Sequence, residues 1–335
     1  MRSVLVTGGA GFIGSHLVDQ LLDAGAAVRV LDNLSTGSAA NLQAAAERHS
    51  RGSGALNGSR LEVIVGDVRD RELLRKALRS VKYVFHLAAV PATATSIMDP
   101  GDIHSVNVEG TLNVLHGALT EGVWRVVIGS CASVYGVPEG QDVAEDAPLR
   151  PTTLFGASKV AAETYALAFH VRHKLDTVIL RYFSVYGPRQ KAVPGGPLVP
   201  NLVESLRHGQ AFLEHDEWST EDFVYVDDAV AATLAAARAP RAAGRVINVG
   251  SGQMVSVDDV RGILADLLRV SAVSGSRPDV GTRRHGIRTR SELAVELLDF
   301  SPRVSLIGGL ARVVSGMSLG ERSEYPKLAP VGHDD

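Results

Sequence analysis

Short β-branched, apolar runs alternate with longer amphipathic stretches through the first half of the chain. Residues 4–6, 28–31, 61–65, 81–87 and 125–128 read as strands, each a compact apolar run bounded by turn-forming or polar residues. A helix is expected over about 13–24, and two longer ones over about 103–121 and 152–174. Strands separated by helices imply right-handed crossovers and a parallel sheet covered on both faces. The expected class is therefore α/β, with a doubly wound parallel sheet. Residues 50–60 carry turn formers without periodicity and read as an exposed loop. After a strand at 178–181, Gly187-Pro188, Pro194-Gly195-Gly196-Pro197 and Pro200 break the alternation until a strand at 245–249. This places residues 1–183, with a strand and flanks at about 222–252, in a sheet-bearing domain. Residues 184–221 and 253–321 form a smaller, interleaved C-terminal lobe, and 322–335 a frayed tail.

Composition narrows the function classes. With 335 residues, 45% of them hydrophobic, and a formal net charge of -3, the chain is globular rather than disordered. It lacks the global basic field of a nucleic-acid binder. The single cysteine, Cys131, rules out a disulfide framework or a cysteine-built zinc site, and no metal is expected. No apolar run approaches the roughly 18 residues of a membrane helix. The chain opens into its first apolar run without a basic-then-apolar leader, so a soluble cytoplasmic enzyme is expected.

Candidate chemistry begins at Gly8-Gly9-Ala10-Gly11-Phe12-Ile13-Gly14, between the first strand and the first helix. Glycines there permit a tight turn, close approach of backbone to a pyrophosphate, and packing of helix on strand. Gly8, Gly11, Phe12, Ile13 and Gly14 are the expected contacts. Asp32, with Asn33 beside it, closes the second strand, where a carboxylate accepts the adenosine ribose hydroxyls and repels a 2′-phosphate. NAD is therefore the expected cofactor, in a Rossmann-type site. Asp67 and Val68 suit the adenine rim, while Leu87, Ala88 and Ala89 supply small or apolar residues beside the cofactor. His86, which precedes them, reads as structural.

Six segments then arrive in a fixed order: the glycine motif, His86-Leu87-Ala88-Ala89, Ser133-Val134-Tyr135-Gly136, Phe155-Gly156-Ala157-Ser158-Lys159, Arg181-Tyr182-Phe183-Ser184-Val185-Tyr186-Gly187-Pro188-Arg189-Gln190, and Phe223-Val224-Tyr225-Val226-Asp227-Asp228. The set resembles the extended short-chain dehydrogenase/reductase family of NAD-dependent nucleotide-sugar epimerases and dehydratases, over about residues 1–315. The resemblance implies transient oxidation of a sugar hydroxyl to a ketone and return of the hydride. A tyrosine phenolate is the base, helped by a lysine four residues on and by a Ser or Thr. It also implies Ser130, Lys159 and Tyr182 as cofactor contacts, Ser133, Ser184 and Arg277 as substrate contacts, and a homodimer through the two long helices.

The chain departs from that pattern. Lys159 matches the family lysine, but Phe155 stands at the tyrosine and Cys131 at the Ser/Thr. Phe155 admits three readings: an engineered replacement, a natural site using another proton-transfer group, or a binding-only relative. Cys131 is either a thiolate favoured by Lys159 or a small buried hydrophobe. Tyr135, Tyr182 and Tyr186 carry nearby phenols that read as packing residues. Ala132 and Ser133 stand where dehydratases carry acids, so epimerisation, most simply at C4, is expected over elimination. Glu221 replaces a phosphate-clamping arginine and Ser184 an asparagine, while Arg283, Arg284, Arg288 and Arg290 form a basic cluster. His215-Asp216-Glu217-Trp218 replaces a glycine-rich turn. These changes suggest an unusual sugar, as in a secondary-metabolite pathway such as antibiotic biosynthesis.

Overall fold

Seven parallel strands carry the fold in the computed structural model, which describes residues 3–49, 60–91, 100–138, 140, 142–210, 220–271 and 286–317. In spatial order they are Arg245–Val249, Asp176–Tyr182, Arg125–Cys131, Tyr83–His86, Ser3–Thr7, Ala27–Asp32 and Leu61–Val65. The order reverses between Ser3–Thr7 and Tyr83–His86, and in such sheets the crevice beyond the strands' C-terminal ends is where ligands sit. Pairing of Val4 with Tyr83 and of Thr7 with His86 brings Gly8 and Leu87 together at that crevice.

The strands read as unbroken apolar runs because both faces are covered: Val4, Leu5 and Val6 are all fully buried. One face packs on helices Phe12–Asp23, Ala40–His49 and Val226–Arg238, the other on Arg71–Leu78, Gly110–Thr120 and Leu154–His173. Each buried Leu or Val is worth about 1.5–3 kcal/mol relative to exposure. The strands expected from sequence are all present; those at 61–65 and 245–249 have the expected bounds, and the others differ by one to three residues at one or both ends. Helices Ala40–His49 and Arg71–Leu78 were not expected; the first is alanine-rich with little periodicity, and the second is short, started by the Asp70 side chain accepting from Leu73 N. The helix expected over 103–121 is composite: Pro100–His104, a π turn at Ser105–Glu109, then Gly110–Thr120. Residues 50–59 of the expected loop lie outside the described residues, as does the 322–335 tail.

A smaller three-stranded sheet joins Ser184–Tyr186, Thr220–Tyr225 and Met254–Ser256. Residues 222–225, expected with the large sheet, therefore sit in the smaller one, with Phe223 paired to Ser184. The buried Asp222 carboxylate fixes that region, accepting from Ser251 N (2.6 Å), Ser251 Oγ (2.7 Å), Thr289 N (2.9 Å) and Gly252 N (3.0 Å). Residues 187–191 lie along the first helix: His16 Nε2 bonds Pro188 O (3.0 Å), Arg189 pairs with Asp19 (2.7 Å) and Lys191 donates to Thr36 O (3.2 Å). Among the described residues, no helix is long and apolar enough to cross a membrane.

Candidate active site

The glycine-rich turn closes against the end of the fourth strand. Gly8 has φ +70°, and a Cβ there would lie 2.7 Å from Ala88 N; one on Gly14 would lie 2.1 Å from Gly8 O. Only glycine fits either place. The helix that follows starts at Gly11 with no side-chain cap, so its first-turn N–H groups face the crevice without a protein acceptor of that kind. Such an end receives an anion. Asp32, at the end of the second strand, is buried and accepts from Ala10 N (2.8 Å) and Leu34 N (2.8 Å), which aims the carboxylate while leaving lone pairs on both oxygens. Asn33 donates to Asp67 Oδ2 (3.0 Å), and the Arg69 side chain holds the Asp67 carboxyl down to about 2. Val68 is buried, whereas Phe12, Ile13, Leu87, Ala88 and Ala89 remain partly exposed along the crevice. The turn, the uncapped helix start and the aimed carboxylate fit a dinucleotide.

His86 is fixed on both sides. Thr111 Oγ1 gives its proton to Asn107 O (2.6 Å), so His86 Nε2–H must donate to Thr111 (2.9 Å), and Nδ1 accepts from Thr7 (2.7 Å). The ring ties two strands to the helical segment and has no free nitrogen. Burial, with a smaller push from Lys159, lowers its pKa from 6.5 to about 3. As pH falls the unfolded chain therefore takes up this proton first. The stability from neutral His86 is complete above 6.5 and is lost progressively toward 3. Urea midpoints at about pH 7.5 and about pH 4.5 should accordingly fall further for the parent protein than for His86→Gln.

The second half of the site stands on the helix Leu154–His173. Thr153 caps it, accepting from Gly156 N (3.0 Å). Gly156 lets this end abut the 132–134 turn, since a Cβ there would lie 2.6 Å from Ser133 O. Phe155 and Lys159 are thereby set one helical turn apart beside the end of the Arg125–Cys131 strand. Lys159 is buried, donates Nζ to Gly129 O (2.9 Å) and lies 5.6 Å from the centre of the Phe155 ring. Burial pushes its pKa down, partly opposed by Cys131 and Glu163. Burial likewise pushes the Cys131 thiol up, and Lys159 and Ser133 offset only part of that. A raised pKa disfavours the thiolate reading of Cys131 and is in keeping with the small, protonated hydrophobe.

Beneath Lys159 lies a polar network that sequence reasoning missed. Glu163 accepts from Ser130 Oγ (2.5 Å) and from Arg181 Nη2 (2.7 Å) and Nε (3.0 Å). Arg181 also donates to Tyr135 OH (2.9 Å), which donates to Asn248 Oδ1 (2.6 Å). Burial raises the Tyr135 phenol to about 12. The signal was present: a carboxylate four residues after Lys159 on one helix face, and an arginine ending a buried strand. Ser130 and Tyr182, expected at the cofactor, direct their hydroxyls elsewhere, to Glu163 and to Thr233 (2.7 Å). Asn107 was also missed; it bonds Val90 N (2.8 Å) and Ser158 Oγ (3.0 Å) from the π turn.

Of the residues expected to contact substrate, Ser133 is exposed beside Cys131. The two replaced residues of the smaller lobe meet each other, Ser184 Oγ donating to Glu221 Oε2 (2.5 Å). Arg288 and Arg290 pair with Asp142 (2.5 Å) and Glu292 (3.2 Å), so these members of the basic cluster are met by carboxylates. Arg277, Arg283, Arg284 and 215–218 lie outside the described residues. On the two long helices expected to pair with a second copy, Leu115 is fully buried within the chain, whereas Val171 is 69% exposed.

Comparison with known proteins bears on this arrangement. The family described as "NAD dependent epimerase/dehydratase family" matches residues 4–250. The chain is 35% identical to UDP-glucose 4-epimerase of Mycolicibacterium smegmatis, over 92% of this chain and 96% of that one. Among solved structures, an epimerase from Methanothermobacter thermautotrophicus superposes with TM-score 0.84 at 31% identity, covering 95% of this chain and 92% of that one. A Tyr-to-Phe mutant of UDP-glucuronic acid 4-epimerase from Bacillus cereus, in complex with UDP-4-deoxy-4-fluoro-glucuronic acid and NAD, superposes with TM-score 0.82 at 29% identity, covering 95% and 99%.

Proposed function

Because the chain belongs to the NAD dependent epimerase/dehydratase family, we propose that it is an NAD-dependent epimerase of a nucleotide-activated sugar, acting at C4 through a transient keto sugar. The observation that carries this reading is the meeting, at one crevice, of the uncapped glycine-rich helix start, the aimed Asp32 carboxylate and buried Lys159. Gly8, Gly11 and Gly14 leave room for the pyrophosphate, Asp32 accepts ribose hydroxyls, and Lys159 holds the nicotinamide ribose. Bound NAD supplies a reversible hydride acceptor. Ser133 and Ser184 are the substrate contacts among the described residues, with Arg277 a further one. The functional unit is a cytoplasmic homodimer in the biosynthesis of an unusual sugar, such as that of an antibiotic. The partly exposed Leu112, Leu119, Val160 and Leu167, with Val171, are the apolar positions available to a second copy.

The test is incubation of the parent protein and Phe155→Tyr with UDP-, GDP- and dTDP-sugars. Nicotinamide reduction is followed by absorbance and the product stereocentre by NMR. Epimerisation leaves the mass of the sugar nucleotide unchanged, whereas elimination removes the mass of one water. Ala132 and Ser133 offer no carboxyl to a leaving hydroxyl, so no mass loss is expected. No turnover and no reduced nicotinamide with any sugar, even for Phe155→Tyr, would overturn the reading.

A further inference from the structure

The tyrosine position holds a ring that can neither take nor give a proton, yet oxidation of an alcohol requires its hydroxyl proton to leave. The groups around Phe155 differ in what they have free. Tyr135 donates its phenol to Asn248, and Tyr182 donates to Thr233, whose own proton goes to Ala229 O (2.7 Å). His86 has both nitrogens bonded, between Thr7 and Thr111. Glu163 accepts from Ser130 and is ion-paired with Arg181, so its charge is already offset. Cys131 is a small thiol whose ionisation the buried setting disfavours.

Lys159 is different. Its only hydrogen bond among the described residues runs to a neutral carbonyl, that of Gly129 (2.9 Å), and the nearest carboxylate on its own helix, Glu163, is held by Arg181. From the strand side it faces the Cys131 thiol, from the next strand the neutral imidazole of His86, and from its own helix the Phe155 ring (5.6 Å) and Glu163. A buried ammonium in that position lacks an ion-pair partner of its own, which favours the neutral amine. A positively charged nicotinamide nearby acts in the same direction.

We propose that Lys159 is itself the proton-transfer group of this site, its neutral amine taking the hydroxyl proton that a phenolate would otherwise take. The proposal rests on the epimerase reading. In the oxidation the O–H bond of the sugar carbinol breaks and its proton binds Nζ. The C–H hydride leaves with its electron pair for a nicotinamide oxidant, and a carbonyl remains. In the reduction the hydride returns to carbon and Nζ gives the proton back to oxygen.

The test uses the NAD-loaded protein and a sugar nucleotide that Phe155→Tyr converts. The parent rate of nicotinamide reduction should rise about tenfold per pH unit below one apparent pKa and then level off. Lys159→Arg keeps a cation at this position but cannot deprotonate, and should lose about 10²-fold in kcat with little change in KM or NAD content. Phe155→Tyr in the Lys159→Arg background should restore most of that loss, which a purely structural or cofactor-holding lysine would not allow. Competitive acetylation read by mass spectrometry should show Lys159 titrating below ordinary lysine, in step with the kinetic limb. Parent-like kcat in Lys159→Arg, a limb that survives in that variant, or no recovery in the double variant would each overturn the proposal. Turnover by Phe155→Tyr with none by the parent would overturn the role of Lys159 and leave the epimerase reading standing. Silence of both with every sugar would overturn the epimerase reading and this proposal with it.

Discussion

Phe155→Tyr is expected to raise the rate of nicotinamide reduction by a nucleotide sugar about 10²-fold, near the low end of what a positioned acid–base group contributes. The new hydroxyl would project from a ring already beside Lys159 Nζ, at the partly exposed start of the helix Leu154–His173. A phenol proton passed to the Lys159 amine leaves an ammonium beside the phenolate, and an opposite charge within a few ångströms favours that ionised pair. The gain should fall in kcat rather than KM, because the phenol acts on the leaving proton and adds little to ground-state binding. Stopped-flow absorbance of reduced nicotinamide over about pH 6 to about pH 10 measures both the gain and the shape of the profile. An unchanged rate would mean that the residue at 155 does not meet the reacting oxygen.

Glu163→Ala is expected to destabilise the fold by about 3–5 kcal/mol, because it leaves the Arg181 guanidinium buried without its carboxylate. Glu163 and Arg181 are 2% and 3% exposed, and the pair is bonded through two arginine nitrogens. Loss of the acceptor also strands the Ser130 hydroxyl. The double variant Glu163→Ala/Arg181→Met should recover a large part of the loss, since removing both charges avoids the uncompensated one. Urea unfolding of the two single variants and the double variant closes the cycle. Simple additivity of the two single effects would show that the pair does not couple.

Much of the arrangement is legible in the sequence. The buried parallel strands announce themselves as short apolar runs, and the glycine turn needs no side-chain detail, since Gly8 and Gly14 are forced by close backbone approach. What stayed hidden depends on long-range pairing. Glu163 and Arg181 look like surface charges until the helix is laid on the sheet, and Asn107 acquires its partners only through a π turn that periodicity does not encode. The pairing of Ser184 with Glu221 joins strands 37 residues apart, and single positions gave no sign that the two departures were connected. Helices such as Arg71–Leu78 are decided by one capping side chain and a short apolar face, too little for a sequence window to weigh.

The clasp of residues 187–191 on the first helix bears on how the lobes move against each other. That helix begins at the glycine-rich turn, and Asp19, His16 and the neighbouring Thr36 tie it to the chain leading into the smaller lobe. A rotation about this edge would drag that turn with it. Three fastenings on one edge make a rigid joint there, so a swing of the smaller lobe about residues 187–191 would have to break the Arg189–Asp19 pair first.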